Sequence, residues 1–191
     1  MTGKVRIIGG TWRGRKLEVP NLPGLRPSGD RVREVLFNWL QAHIAGRQVL
    51  DLFAGTGALG LEAASRSADG VVLVEQDRSL CRALQAIQQA WPGGERLQVL
   101  HQDAVAFLET DSVKAFDLVF VDPPFDAELY KPTIQRLLDR SWLNPDALLY
   151  VEHAANLDPF DRHGFTGLSP LRDKTIGEVR LRLFRHKQQT E

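Results

Sequence analysis

Cysteine is almost missing from this chain: Cys81 stands alone among 191 residues. One thiol closes no disulfide within a chain, which fits a reducing compartment and an expected cytoplasmic location. Its place in a helical stretch marks it for packing. Long apolar runs are missing too; none approaches the roughly 18 residues of a membrane-spanning helix. The opening Met1-Thr2-Gly3-Lys4-Val5-Arg6 leads into no apolar stretch of the kind a secretory signal carries, so neither leader nor membrane is expected. His43, His101, His153, His163 and His186 share no metal-ligand spacing, and no metal is expected. Repeats and low-complexity tracts are absent. Net charge is absent as well, because 24 basic residues balance 24 acidic ones.

That balance hides a split. Residues 1–33 carry Lys4, Arg6, Arg13, Arg15, Lys16, Arg26, Arg31 and Arg33 against Glu18 and Asp30, a net of +6, so the rest of the chain is −6. A basic arm on a more acidic body suits an anionic partner, although a solvated basic face has the same composition. The length favours one domain with a sizeable core, and 43% hydrophobic residues is ordinary for a globular protein.

Val5-Arg6-Ile7-Ile8 and Lys16-Leu17-Glu18-Val19 flank turns at Gly9-Gly10 and Arg13-Gly14, predicting a short hairpin. Residues 20–29 hold three prolines and two glycines and read as a linker. The division expected is a basic hairpin and linker over residues 1–27 and a main domain over residues 28–191. Ser28 or Asp30 is placed to cap a helix carrying Val32, Val35, Leu36, Trp39 and Leu40, with Gly46 as its end.

From residue 48 apolar strands alternate with helices. Strands are predicted over residues 49–53, 71–74, 97–100, 116–121 and 147–151. Helices are predicted through Leu59 and Ala64, from an Asp77 cap through Ile87 to a stop at Pro92-Gly93-Gly94, over residues 105–108 and over residues 133–138. Near-continuous apolar strands imply a sheet covered on both faces. Their alternation with helices gives the fold class: an α/β, doubly wound, Rossmann-like sheet. Residues 168–174 and 178–185 are predicted to pair as an antiparallel edge hairpin turning near Gly177. On it Arg180 and Arg182 share a face, placed either to extend the basic surface or, the favoured reading, to solvate an edge strand.

The segment from Asp51 to Gly60 joins a strand to a helix. Gly55, Gly57 and Gly60 satisfy G-x-G-x-x-G, where the backbone turns tightly beside a helix N-terminus. Glu75 follows Gly55 by 20 residues, at the end of the next strand, the spacing of a ribose-binding acid. Loop and acid together indicate a nucleoside cofactor, and an NAD-dependent oxidoreductase would use the same parts. Asp51 tips the choice. A carboxylate at the loop's mouth repels a pyrophosphate but suits the ammonium of S-adenosylmethionine, which has no phosphate. A loop-capping carboxylate bonded to local amides is the alternative. Asp103 is placed to bond an adenine amine or to cap the helix that begins near Ala104.

Phe116–Val121 runs into Asp122-Pro123-Pro124-Phe125 at the carboxyl end of the fourth strand, where such folds bind ligands. Two prolines fix φ and donate no hydrogen bonds, which leaves a rigid turn rich in acceptors. An exocyclic base amine is a poor nucleophile because its lone pair is delocalised into the ring. Acceptors on both N–H bonds, from Asp122 and the Pro123 carbonyl, would localise that lone pair and aim it at a sulfonium methyl group. Phe125 offers a face for the base, and a paired base must first be flipped out.

These residues resemble a family. Arg6-Ile7-Ile8-Gly9-Gly10, Trp12-Arg13-Gly14-Arg15-Lys16-Leu17, Arg26-Pro27, Asp30-Arg31-Val32-Arg33-Glu34, Leu36-Phe37-Asn38-Trp39-Leu40, the loop from Leu50 to Gly60, Val74-Glu75 and Asp122-Pro123-Pro124-Phe125 together resemble the RsmD-type methyltransferases, which modify guanine N2 in bacterial 16S ribosomal RNA. Ser28-Gly29 and Gln76 depart from the family pattern without removing a proposed catalytic group. The resemblance implies a seven-stranded methyltransferase sheet whose last strand is inserted antiparallel. It implies S-adenosylmethionine contacts from Asp51, Phe53, Gly55, Gly57, Glu75 and Asp103, with the base held by Asp122, Pro123, Pro124 and Phe125. It also implies a hairpin that grips RNA through Arg6, Trp12, Arg13, Arg15, Lys16, Arg26 and Arg31. The phosphate contacts among these would be salt-dependent. Trp12 is equally suited to packing the hairpin on the body. The expected partner is 16S ribosomal RNA, within a small-subunit particle, met by a monomer. The alternatives are an adenine-N6 methyltransferase using the same loop, the oxidoreductase above, and an RNA-binding protein with a vestigial pocket.

Overall fold

The computed structural model describes residues 3–19, 29–110, 114–124, 127–160 and 165–187. Strands β1 (Gly3–Arg6) and β2 (Lys16–Val19) form the N-terminal hairpin, and helix α1 spans Asp30–Trp39. Next come β3 (Gln48–Asp51), α2 (Ala58–Ser65), β4 (Gly70–Glu75), α3 (Arg78–Ala90), β5 (Leu97–His101) and α4 (Ala104–Leu108). β6 (Phe116–Val121), α5 (Ala127–Asp139), β7 (Leu143–Ala154), β8 (Leu168–Ile176) and β9 (Val179–His186) complete the order.

The main sheet has seven strands in the order β5-β4-β3-β6-β7-β9-β8. Strands β5 through β7 are parallel, while β9 runs antiparallel to both β7 and β8. This is the doubly wound sheet the alternation predicts, with the antiparallel final strand the resemblance implies. The chain winds outward from β3 to β5 and then returns to lay β6 beside β3. The switch point therefore lies between β3 and β6, where such sheets open a crevice at their carboxyl edge.

Each strand feeds both cores because its side chains alternate between faces. Val49, Leu73, Leu118, Phe120 and Tyr150 pack with α1 and α2 on one face. Leu50, Val74, Val119, Val121 and Val151 pack with α4 and α5 on the other. All eight residues of α2 are buried, since the sheet lies on one side of the helix and the hairpin loop on another. Asp77 caps α3 as expected, its carboxylate accepting from the Ser79 and Leu80 amides at 2.7 and 3.0 Å. Cys81 packs in α3 with its thiol donating to the Glu75 carbonyl.

Several elements differ from expectation. The helix predicted to end at Gly46 stops at Trp39, and Gly46 instead sits at φ +72° in the loop before β3. Asp30 does not cap α1; Gly29 holds the N-cap position and Asp30 pairs with Arg33 at 2.6 Å. Ser28 lies outside the described residues. β7 covers twelve residues rather than five, because it pairs with β6 on one side and β9 on the other. The C-terminal hairpin forms and turns at Gly177, yet β9 is interior and only β8 is an edge. Arg180 and Arg182 are accordingly engaged rather than solvated. Arg180 reaches Asp173 at 2.7 Å, and Arg182 reaches Asp158 at 3.0 Å and Asp173 at 3.2 Å.

Candidate active site

The glycine loop is tied to β4 by its backbone. The Gly55 amide donates to Glu75 Oε2 at 2.7 Å, and the Asp77 amide donates to Glu75 Oε1 at 2.7 Å. Glu75 is thus a buried brace between the loop and α3, not a strand-end carboxylate in water. Gly57 sits at φ +80° at the start of α2, and a Cβ there would lie 2.5 Å from the Leu84 side chain. Handedness and space both reserve this position for glycine.

Asp51 ends β3 with 2% of its surface exposed, and its Oδ2 accepts from the Gly60 amide at 2.9 Å. Burial pushes its carboxyl up from 3.8 to about 7; the Gly60 and Phe53 amides pull it down, and the charge of Glu75 pushes it further up. Asp51 thereby bonds the loop's own backbone through Oδ2, the contact the loop-capping alternative calls for. Asp103 caps α4 through the Ala106 amide at 2.8 Å and remains exposed. Phe53 falls just beyond β3, in the turn that begins the loop.

Strand pairing brings the second loop to the first. Asp51 is level with Phe120 on β6, and the Leu52 amide donates to the Phe120 carbonyl at 3.2 Å. Asp122 directly follows β6 as Leu52 and Phe53 directly follow β3, so the two loops leave the sheet from neighbouring strand ends. Asp122 is half-buried, Pro123 buried and Pro124 exposed. Phe125 lies outside the described residues. On the other side of β6, Phe120 is level with Tyr150 and Val121 with Val151 on β7. Asp51 and Glu75 end β3 and β4, Asp122 directly follows β6, and the buried Glu152 lies two residues before the end of β7.

The hairpin sits across α2. Glu62 accepts from the Ile8 amide at 2.7 Å, the Gly9 amide at 2.8 Å and the Arg66 guanidinium at 2.8 Å, with Arg33 at 3.9 Å. Ser65 Oγ donates to the Gly9 carbonyl at 2.6 Å and accepts from the Trp12 amide at 2.8 Å. Gly10, at φ +74°, passes so close that a Cβ would lie 1.8 Å from the Ser65 carbonyl oxygen. Trp12 is a correction to the RNA-contact set. It is 3% exposed, its indole N–H donates to the Pro92 carbonyl at 2.8 Å, and its ring meets Trp91 edge-on at 5.2 Å. Packing on the body takes the ring that a nucleotide would need. Arg33, counted in the basic arm, is also fully buried. Arg6, Arg13, Lys16 and Arg31 are exposed, and Arg15 lies across the Trp91 ring at 4.7 Å. Arg26 lies outside the described residues.

The family model described as conserved hypothetical protein 95 matches residues 5–185. Ribosomal RNA small subunit methyltransferase D of Escherichia coli is 44% identical over 100% of this chain and 94% of its own length. The chain belongs to the ribosomal RNA small subunit methyltransferase D family. The Haemophilus influenzae member is 42% identical over 96% of this chain and 95% of its own length. Among solved structures, the E. coli protein yhhF matches with a TM-score of 0.86 and 43% identity over 98% of this chain and 100% of that one. A Thermus thermophilus 16S rRNA N2-guanine methyltransferase, solved with AdoMet and guanosine, matches with a TM-score of 0.69 and 25% identity over 98% of this chain and 50% of that one. Among the described residues no helix is long and apolar enough to cross a membrane, and no group of side chains has the arrangement of a metal site.

The sequence pattern marks the two loops but not Glu62, Ser65, Tyr150 or Glu152. Glu62 and Ser65 carry a signal in hindsight, being polar residues in a helix with no polar face. Glu152 resembles any carboxylate at a strand end.

Proposed function

We propose that this protein methylates the N2 amine of a guanine in 16S ribosomal RNA, with S-adenosylmethionine as donor. The observation that carries the reading is the pairing of β3 with β6, which sets the Asp122-Pro123-Pro124 turn beside the glycine loop at the switch point. When bound, the cofactor supplies a methyl group on a sulfonium, already a good leaving group. Glu75 accepts from the ribose hydroxyls, since its two amide bonds leave lone pairs on both oxygens. Asp51 supplies the negative charge for the ammonium, the Gly55 and Gly57 turn lets the ligand approach, and Asp103 lies at the adenine end. Phe53 has the role of a cofactor contact and Phe125 that of an aromatic partner for the base. Asp122 and the Pro123 carbonyl accept the two amine N–H bonds, which localises the nitrogen lone pair and holds it in line. The proton released after transfer passes to the Asp122 side.

Residues 1–27 form the RNA-gripping unit and residues 28–191 the catalytic one. Arg6, Arg13, Arg15, Lys16, Arg26 and Arg31 pair with phosphates, and Trp91 holds the Arg15 guanidinium flat and ready. The enzyme works as a monomer. The substrate is the ribosomal particle rather than free RNA.

Labelled cofactor incubated with undermodified small subunits is expected to yield N2-methylguanine, with less from protein-free RNA. Label found in adenine instead would move the enzyme to the adenine-N6 class. Binding of NAD without S-adenosylhomocysteine would favour the oxidoreductase.

Asp51 makes the cofactor step pH-dependent. Because its folded value is raised, the carboxyl is neutral below about 7, and its stabilising contribution fades as pH rises through that value. A cationic ammonium favours the ionised form, so binding near pH 6 expels a proton. Calorimetry of S-adenosylhomocysteine in buffers of different ionisation enthalpy is expected to show roughly one proton released near pH 6 and little by pH 8.5, with affinity rising between them. The Asp51→Asn variant is expected to lose that dependence. A wild-type affinity flat from pH 6 to 8 would remove Asp51 from the ammonium site.

A further inference from the structure

Glu152 is the carboxylate at this edge that the reading above leaves without a role. It is 3% exposed on β7. Phe120 is level with Tyr150 and Val121 with Val151, so Asp122, the residue directly after β6, leaves the sheet beside Glu152 on β7. Phe120 and Tyr150 belong to the core against α1 and α2, while Val121 and Val151 belong to the opposite core. Alternation then turns Asp122 and Glu152 to the same face. The Tyr150 hydroxyl donates to Glu152 Oε2 at 2.7 Å, and the Tyr130 hydroxyl from α5 donates to the Glu152 carbonyl at 2.9 Å. Burial, then the charges of Glu152 and Asp122, push the Tyr150 phenol well above its usual range, which places both carboxylates within electrostatic reach of one ring.

Two acceptors for an amine do not tell guanine from adenine, because either base offers two N–H bonds. The ring nitrogen beside the amine does differ. Guanine N1 carries a proton, whereas the ring nitrogen flanking the amine of adenine or cytosine carries a lone pair. A second carboxylate next to the amine's acceptor rewards the first pattern and opposes the second, since two facing acceptors in a buried site are left without a proton.

We propose that Glu152 is the guanine-specifying residue, its carboxylate accepting the N1–H of the target base beside the amine held by Asp122. Tyr150 fixes the rotamer of that carboxylate through its bond to Oε2. The bond to N1–H also draws electron density through the ring toward N2, so one contact serves both selection and nucleophilicity. No atom is transferred in this contact. The inference rests on the proposed guanine-N2 function.

The test replaces the target guanine by 2-aminopurine in the RNA of a reconstituted subunit. That base keeps the N2 amine but presents a lone pair at N1. Wild-type enzyme is expected to prefer guanine by about 100-fold or more in kcat/KM. Glu152→Gln keeps an acceptor for Tyr150 and offers an amide N–H to the bare N1. Its guanine rate is expected to fall about 100-fold while 2-aminopurine holds or improves, with thermal unfolding and S-adenosylhomocysteine affinity as controls on folding. Equal losses on both bases would reduce Glu152 to a structural part. Wild-type rates that do not distinguish the bases overturn the proposal without any variant. Failure of the wild type to methylate guanine at all would instead sink the function on which it rests.

Discussion

Asp122→Ala is expected to lower kcat by about 10³-fold or more while cofactor and RNA affinities stay within about threefold. The expectation follows from what the turn can do. Its prolines donate no hydrogen bonds, and Pro123 is buried, so the turn has little freedom to rearrange and replace a lost acceptor. An amine conjugated with its ring gains nucleophilicity only while both N–H bonds are held, and that holding exists in the transition state more than in the ground state. Alanine removes one acceptor and the charge that stabilises a developing ammonium. Asn at this position keeps one acceptor oxygen and loses the charge, so Asp122→Asn is expected to fall between, at about 10- to 100-fold. Single-turnover rates with undermodified subunits separate the chemical step from binding. A rate for Asp122→Ala within tenfold of wild type would remove this residue from the reacting centre.

The order of elements was legible because parallel strands covered on both faces announce themselves as short apolar runs. Phe116–Val121 and Val71–Val74 are such runs, and their placement in the sheet follows from the right-handed crossovers between them. Boundaries were less legible wherever a tertiary partner sets them. The strand predicted to begin at residue 147 begins at Leu143 instead, because Leu143 pairs with Phe116. Arg180 and Arg182 read as solvating an edge, but Asp158, one of the two carboxylates that hold them, lies outside the predicted hairpin, on a segment that sequence alone does not bring there.

The site divides in the same way. Gly55, Gly57 and Glu75 are fixed by local geometry, a tight turn and a strand end, and local geometry is what spacing encodes. Asp51 shows the limit: its position was evident, but its burial and its bond to Gly60 depend on how α2 settles on the sheet. Trp12 was divided between nucleotide and core because an indole serves both; the Pro92 carbonyl and the Trp91 ring decide for the core, and both lie about 80 residues away in sequence. Glu152 had no local signature at all, since its neighbour Asp122 stands on a different strand.

Glu62→Ala is expected to cost about 3–5 kcal/mol, the largest stability loss of any substitution considered. The carboxylate is fully buried and works as a hub, with the Ile8 and Gly9 amides, Arg66 and Arg33 converging on it. Alanine removes one of the acids that face the buried Arg33 guanidinium and takes the carboxylate acceptor from two backbone donors of the hairpin loop. Each such donor adds about 1–3 kcal/mol where water cannot reach it. For a domain whose whole stability is about 5–15 kcal/mol, the protein relieves this by letting the loop lift from α2 rather than by unfolding outright. Two readouts separate these responses. Thermal unfolding is expected to fall by about 10 °C. RNA affinity is expected to fall further than S-adenosylhomocysteine affinity, because the basic hairpin loses its seat while Gly55, Glu75 and Asp51 keep theirs. Glu62→Gln retains an acceptor for one amide and is expected to lose about half as much stability. If Glu62→Ala weakens both ligands equally, the hairpin and the cofactor loop are one cooperative unit, and the clasp has no separate role in presenting the basic surface to RNA.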